Sequence, residues 1–367
     1  MWGVFVREHA KAVRLYDDVA VLHGAGVDPN LQRLWRVEQE TDESFTEGLP
    51  TYRVWHQPPP IPQARYLLYL WSIFQAFRHI AAQGFYPDVL HAHVYSAGFP
   101  AALLGKLYRL PVVITEHVST FSRKLLSRCE VLTAHLAFRW STLVMPVSPT
   151  LQKAIEDHGI CARFQVVPNA VDTTLFTPFL HNAPEHNAKR LLFVGSLVPV
   201  KGIPYLLQAL AQLRRKREDW HLDIAGDGSA RAEYECLAIE LGIADQVTFT
   251  GIKSRREVAA LMQRADLFVL PSLCETFATV AAEALAAGTP VLATRCGGPE
   301  EFITEQVGML VPPGDADALC EGLDTMLDQL SRYDPYRVSR YAVERFSLER
   351  VGQQLHMIYK ILFAQKR

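Results

Sequence analysis

Two kinds of apolar pattern alternate along this chain. Short β-branched and aliphatic runs recur at Arg190–Leu197, His221–Gly226, Gln246–Gly251, Leu267–Ser272, Pro290–Thr294 and Gly308–Pro312. Between them apolar residues fall at helical spacing. Leu206, Leu207, Leu210 and Leu213 form one such stripe, opened by Pro204 in the first turn, where its missing N–H costs nothing. Thr276–Ala287 reads as a helix closed by Gly288, a residue free to take the left-handed C′ conformation. Ala316–Leu327 reads as another, with Asp315 as its N-cap. Strands alternating with helices at this length predict a parallel sheet covered on both faces.

The N-terminal half repeats the theme. Strands are expected at Val19–Gly24, Asp88–His93, Pro111–His117, Thr142–Ser148 and Phe164–Val171. Helices are expected at Phe5–Leu15, Arg65–Ala82, Tyr95–Tyr108 and Thr150–His158. From Asp172 to Lys189 the periodicity gives way to Pro, His, Asn, Thr and Ala, which reads as a linker between two α/β domains. A doubly wound domain opens on a buried strand and a glycine-rich turn before its first helix. Here only Met1, Trp2, Gly3 and Val4 precede the first helix, with Gly3 as a candidate remnant of the turn. Two expectations stay open: the N-terminal domain lacks its first strand, or the start of the chain is misplaced.

Composition narrows the function. A chain of 367 residues is long for one core, which agrees with two domains. The formal charge of −2, with Arg214–Arg217 as the longest basic run, provides no field for non-specific nucleic-acid binding. Six dispersed cysteines form no CxxC pair, so they read as reduced thiols in a cytoplasmic protein. The most apolar helical stretch, Leu67–Phe74, is far short of the ~20 residues that span a bilayer. Peripheral contact at the inner membrane face stays open, and the aromatic segment Arg65–Phe77 reads more simply as a core helix.

Two segments suggest chemistry. Gly195-Ser196-Leu197-Val198-Pro199-Val200-Lys201-Gly202 lies between a strand and a helix, where free N–H groups and the dipole suit phosphate and Lys201 adds a mobile positive charge. Taken alone, a plain βα turn with a solvated lysine is the preferred explanation, because glycine and lysine are common in such turns. In the second segment Glu275 follows a strand and Glu283 lies about two turns into the next helix, with the N–H groups of Phe277, Ala278 and Thr279 facing the same crevice. Alanines at 281, 282, 284, 286 and 287 imply close packing there, so an idle buried Glu283 would be costly.

Together these segments resemble the retaining GT-B glycosyltransferases of family 4, the glycosyl transferases group 1. The resemblance runs over nearly the whole chain. It includes Gly195…Lys201-Gly202, Gly226-Asp227-Gly228, the E-x7-E pair Glu275/Glu283 with Ala284-Leu285-Ala286-Ala287-Gly288-Thr289-Pro290-Val291, and Gly297-Gly298 followed by Glu301. Asp88-Val89-Leu90-His91-Ala92-His93, Thr115-Glu116-His117 and Pro168-Asn169-Ala170-Val171-Asp172 complete it.

The resemblance implies two Rossmann-like domains facing a cleft. Residues 1–172 would form the acceptor side, 186–340 the nucleotide-sugar domain, and 341–367 a helix crossing back onto the first. It implies transfer of a sugar from a nucleotide diphosphate sugar to a glycan or lipid-linked acceptor with retention, by a hexosyltransferase without metal or other cofactor. Lys201 would neutralise the diphosphate beside Gly195 and Ser196, and Glu283 would hold the ribose. Glu275 with Phe277, Ala278 and Thr279 would bind sugar and phosphate, Ile252 and Lys253 would lie near the base, and His117 would reach the transferred sugar.

The chain departs from the family pattern at Ser196, where arginine is usual, at Ala278, where glycine is usual, and at its N-terminus. These departures keep a non-catalytic nucleotide-sugar binder or degenerate partner subunit as the alternative. A dinucleotide oxidoreductase or epimerase fits poorly, because Arg231 stands where its third fingerprint glycine belongs. His91 and His93 share one strand face, but no third ligand is evident in the sequence, so they read as structural histidines.

Overall fold

Gly3, with φ of +105°, precedes the first helix, α1 (Val4–Arg14), whose buried face carries Glu8, His9, Ala12 and Val13. The computed structural model describes residues 3–41, 46, 48–58, 64–178 and 188–365. Three strands follow α1: β1 (Val21–Val27), β2 (Trp35–Gln39) and β3 (Thr51–His56). Helix α2 (Arg65–Ala82) then leads to β4 (Leu90–His93), α3 (Tyr95–Tyr108), β5 (Val112–Glu116), α4 (Arg128–Trp140), β6 (Leu143–Pro146) and α5 (Pro149–Glu156).

These N-terminal strands form two sheets rather than one. In the first, β3 lies between β1, its parallel neighbour, and β2, its antiparallel neighbour; in the second, β4, β5 and β6 run parallel in that order. Among the described residues β1 and β4 do not pair.

The C-terminal lobe is regular. It contains β7 (Lys189–Val194), α6 (Ile203–Arg214), β8 (Trp220–Ala225), α7 (Arg231–Glu240), β9 (Val247–Gly251), α8 (Arg255–Arg264), β10 (Leu267–Leu270), α9 (Thr279–Ala286), β11 (Val291–Thr294), β12 (Gly308–Val311) and α10 (Ala316–Asp328). Its six strands are all parallel, in the order β12-β11-β10-β7-β8-β9. The order reverses between β7 and β10. In open α/β sheets the crevice beyond the carboxyl ends of strands at such a reversal is where ligands bind. Helix α6 shows why the lobe holds: Ile203, Leu206, Leu207, Leu210 and Leu213 are fully buried at the predicted spacing, each contributing roughly 2 kcal/mol of apolar burial.

Several expectations shift in the structure. Phe164–Val171 is not a strand: Phe164 makes one isolated parallel bridge to Val144 and Val171 another to Ser347, because Pro168 cannot donate to a ladder. The expected Thr276–Ala287 helix begins three residues late, at Thr279, since Ala278 is left-handed and serves as the N-cap. The segment from Tyr341 to Phe363 is two helices, α11 (Pro335–Phe346) and α12 (Leu348–Ala364), broken at Ser347, whose hydroxyl caps α12. Helix α12 packs Val351, Leu355, Ile358 and Leu362 in one buried cluster with Ala12, Val13, Val113, Leu143 and Met145. Strands β2 and β3 and helix α4 were not expected, although the Ser127…Glu130 capping box that starts α4 was readable. Part of the expected linker, residues 179–187, lies outside the described residues, as do residues 1, 2, 366 and 367.

Candidate active site

The turn after β7 and the loop after β10 meet at the strand-order reversal. Lys201 Nζ donates to Glu275 Oε1 at 2.6 Å across 74 residues of sequence, and the Ser272 hydroxyl donates to the same oxygen at 2.7 Å. Glu275 is also pinned through its backbone: its N–H bonds the Cys296 carbonyl at 3.0 Å, and its carbonyl accepts from Gly298 at 2.9 Å. Gly195 and Ser196 open the β7 turn, Ser196 at the surface. The Gly226–Gly228 backbone packs directly on Gly195 and Leu197, so that motif supports the turn from beneath.

The N-terminal lobe closes on this loop through hydrogen bonds, two of them at Thr276. The Thr276 hydroxyl donates to the His117 carbonyl at 2.9 Å, while Ser148 Oγ donates to the Thr276 carbonyl at 2.6 Å. Asn169 Nδ2 adds a bond to Thr279 Oγ1 at 3.0 Å, and Thr150 Oγ1 one to Glu301 Oε1 at 3.0 Å. Between the lobes lies a cleft of about 750 Å³. Ser122, Arg123 and Thr150 line it from one side; Pro199, Val200, Leu273, Cys274, Cys296, Gly297 and Glu300 line it from the other. Burial pushes both thiols up, Cys296 to about 12, so neither is a thiolate at neutral pH.

The sequence-predicted residues distribute unevenly around this cleft. Lys201 and Glu275 come together, flanked by the lining residues Val200 and Cys274. Thr279 starts α9, so its first-turn amide points out of the helix, whereas Phe277 and Ala278 lie ahead of the helix and are buried. The expectation that all three amides belong to the helix tip is corrected by the left-handed turn at Ala278. Ile252 is exposed and Lys253 half-buried just past β9.

Glu283 is not on a solvated face. It is buried, and Arg255 at the start of α8 donates to its Oε1 at 2.8 Å. Burial raises the Glu283 pKa and the guanidinium opposes that. Arg255 also lies 3.8 Å from Glu8 of α1, so this pair reaches the N-terminal lobe. His117 is only 7% exposed, with the Phe5 ring 4.2 Å from its own, and burial holds its pKa well below the usual imidazole range. Neighbouring Glu116 accepts N–H bonds from Tyr95, His117 and Val118, and burial nevertheless raises it to about 7.

Comparison with known proteins decides the family. A profile for glycosyl transferases group 1 matches residues 179–341, and one for glycosyltransferase family 4 matches residues 37–175. The D-inositol 3-phosphate glycosyltransferase of Corynebacterium aurimucosum is 31% identical over 303 residues, covering 74% of this chain and 71% of the relative. This chain belongs to the glycosyl transferases group 1. An uncharacterised glycosyltransferase of Methanocaldococcus jannaschii is 29% identical over 347 residues, covering 86% and 85% of the two chains. The fold of this group 1 glycosyltransferase is GT-B. The crystal structure of Anabaena HepE with UDP and glucose superposes with a TM-score of 0.78 at 23% identity, over 98% of this chain and 95% of that one.

The backbone at Ala278 is strained. Its φ of +70° and ψ of 58° are a left-handed conformation that costs a side-chain-bearing residue on the order of 1–2 kcal/mol. Glycine, usual at this place in the resembled pattern, pays no such cost. Ala278→Gly in this glycosyltransferase should therefore stabilise the fold by about 0.5–1 kcal/mol, after the added freedom of the unfolded chain is subtracted. Urea denaturation measures it, and an unchanged or lower midpoint would contradict the strain.

Sequence reasoning missed Arg123, Arg255 and Cys296 at this site. Only their positions in space single them out: Arg123 comes from a loop after β5 and faces the cleft from the opposite lobe.

Proposed function

We propose that this glycosyltransferase moves a hexose from a nucleoside diphosphate sugar to a glycan or lipid-linked acceptor, with retention at the anomeric carbon. The observation that carries the reading is the convergence of Lys201, Glu275 and the α9 tip at the strand-order reversal, beside an interlobe cleft. Breaking the anomeric C–O bond places charge on the departing diphosphate, and preorganised cations and amides there lower the barrier. Lys201 would leave Glu275 for the phosphates, with Ser272 still holding the carboxylate. Glu275 would then face the sugar hydroxyls. A donor phosphate oxygen taking the acceptor's proton on the same face would give retention without a dedicated protein base. Anabaena HepE, similar in fold, has been crystallised with UDP and glucose, which supports the donor class. A glycan or lipid-linked acceptor would enter from the N-terminal lobe.

In this reading Glu283 grips the ribose. Arg255 takes its Oε1, and among the described residues no hydrogen bond engages Oε2. Glu283→Gln preserves the volume and should weaken nucleoside diphosphate binding about tenfold or more, the worth of a charge-assisted hydrogen bond. Titration calorimetry against a panel of nucleoside diphosphates tests it, and an unchanged affinity for the best binder removes the ribose assignment. A panel of nucleotide sugars, read by thermal shift and product formation, separates a transferase from a binder. Ser196, exposed where a second cation is usual, favours the binder, and donor binding without turnover would establish it.

A further inference from the structure

Four imidazoles crowd one buried spot beside the interlobe contact. His91 and His93 stack on β4 with ring centres 4.5 Å apart, and His117 stacks on His93 at 5.2 Å. His9, from α1, stands edge-on to His93 at 5.4 Å and to His117 at 5.7 Å. One ligand atom each from His9, His91 and His93 lies within 4.8 Å of the other two.

The proton positions follow from the partners. His9 Nε2 faces the Pro168 carbonyl at 3.2 Å, and a carbonyl only accepts, so Nε2 carries the hydrogen. With the hydrogen on Nε2, Nδ1 of the neutral ring is a bare lone pair. That nitrogen is buried and, among the described residues, meets no hydrogen-bond partner. His93 uses Nδ1 toward His117 Nε2 at 2.9 Å, and among the described residues nothing engages its Nε2. His91 is held between the Tyr359 hydroxyl at 2.5 Å and the Thr115 hydroxyl at 2.6 Å.

We propose that His9, His91 and His93 bind one divalent transition-metal ion of the zinc class, with the fourth position open to water. Neutral imidazoles are the ligands such ions prefer, and an outward nitrogen held by a carbonyl or hydroxyl is the usual support for a metal-bound ring. Pro168 gives that support to His9, a ring nitrogen of His117 takes its place for His93, and His91 exchanges one hydroxyl contact for the ion. His91 and His93 remain partly exposed, which provides an entry path. An ion on His93 Nε2 has a consequence for the neighbouring ring. His93 Nδ1–H then donates to His117 Nε2, and His117 must carry its own proton on Nδ1, an atom that is buried with no hydrogen-bond partner among the described residues. The ion would thus set the tautomer of His117.

The test uses the full chain, stripped with a chelator and titrated with cobalt(II), then with zinc(II) in competition. The expected result is one tight site whose visible bands mark four- or five-coordinate cobalt with nitrogen ligands. His9→Gln should weaken it at least roughly tenfold, while His221→Gln, on the surface away from the cluster, should leave it unchanged. A thiolate-to-cobalt charge-transfer band, equal binding by His9→Gln, or no saturable uptake by the wild-type protein would each overturn the assignment. The wild-type spectrum decides the matter even if the His9 variant fails to fold.

Discussion

Lys201→Ala should lower the rate of sugar transfer by roughly 10²–10³-fold, the usual cost of removing one preorganised group from a developing negative charge. Thermal unfolding should hardly move. The Lys201–Glu275 pair is partly open to solvent, at 23% and 12% side-chain exposure, and pairs of that kind contribute about 1 kcal/mol or less. Glu275 is not orphaned by the change, because the Ser272 hydroxyl still donates to it. The two measurements together separate a chemical role from a structural one. Full activity in the variant would take the diphosphate away from this lysine. A collapse in unfolding temperature would instead make the ion pair part of the scaffold.

The second large effect is expected one residue further on. Gly202 has φ of +67° and caps α6, and a Cβ placed on it would stand 2.0 Å from the Pro271 carbonyl oxygen and 3.0 Å from its carbon. Both obstacles are backbone, at the end of β10, so neither can swing aside as a flexible side chain does. The loops are also laced together by Leu273 N–H to the Val200 carbonyl at 2.8 Å. Gly202→Ala must therefore force the β7 turn away from the β10 loop. Left-handed strain plus overpacking make the expected cost about 3 kcal/mol or more. Because Lys201 and Glu275 ride on those two loops, transfer activity should fall with stability. Denaturant midpoints and initial rates on the same preparation check both, and a variant near wild type in each would refute the close approach as essential.

Arg255 shows how far local reading reaches. The sequence marks Glu283 as an acid in a closely packed, alanine-rich helix, and the structure buries it. Its ion-pair partner, 28 residues away on a different helix, has no local signature. His9 is similar: a histidine in an amphipathic helix looks unremarkable until α1 sets it against two histidines of β4 more than eighty residues later. The Phe164–Val171 run failed as a strand for a local reason, a proline, while β2 escaped notice because it is short and mostly exposed. Strand β3, also unexpected, did carry a readable alternation, with Tyr52 and Val54 buried.

The chain by itself determined the alternation of strands and helices, the turn lysine and the carboxylate pair, because periods of 2 and 3.6 residues and turn chemistry are written in neighbouring positions. Tertiary structure alone decided which groups meet: Lys201 with Glu275, Glu283 with Arg255, His117 under Phe5, and Arg123 across the cleft. The reason is that strand order and lobe closure bring together residues whose separation in sequence carries no periodic trace. A charge or an imidazole acquires its chemistry from those neighbours and from burial rather than from its place in the chain.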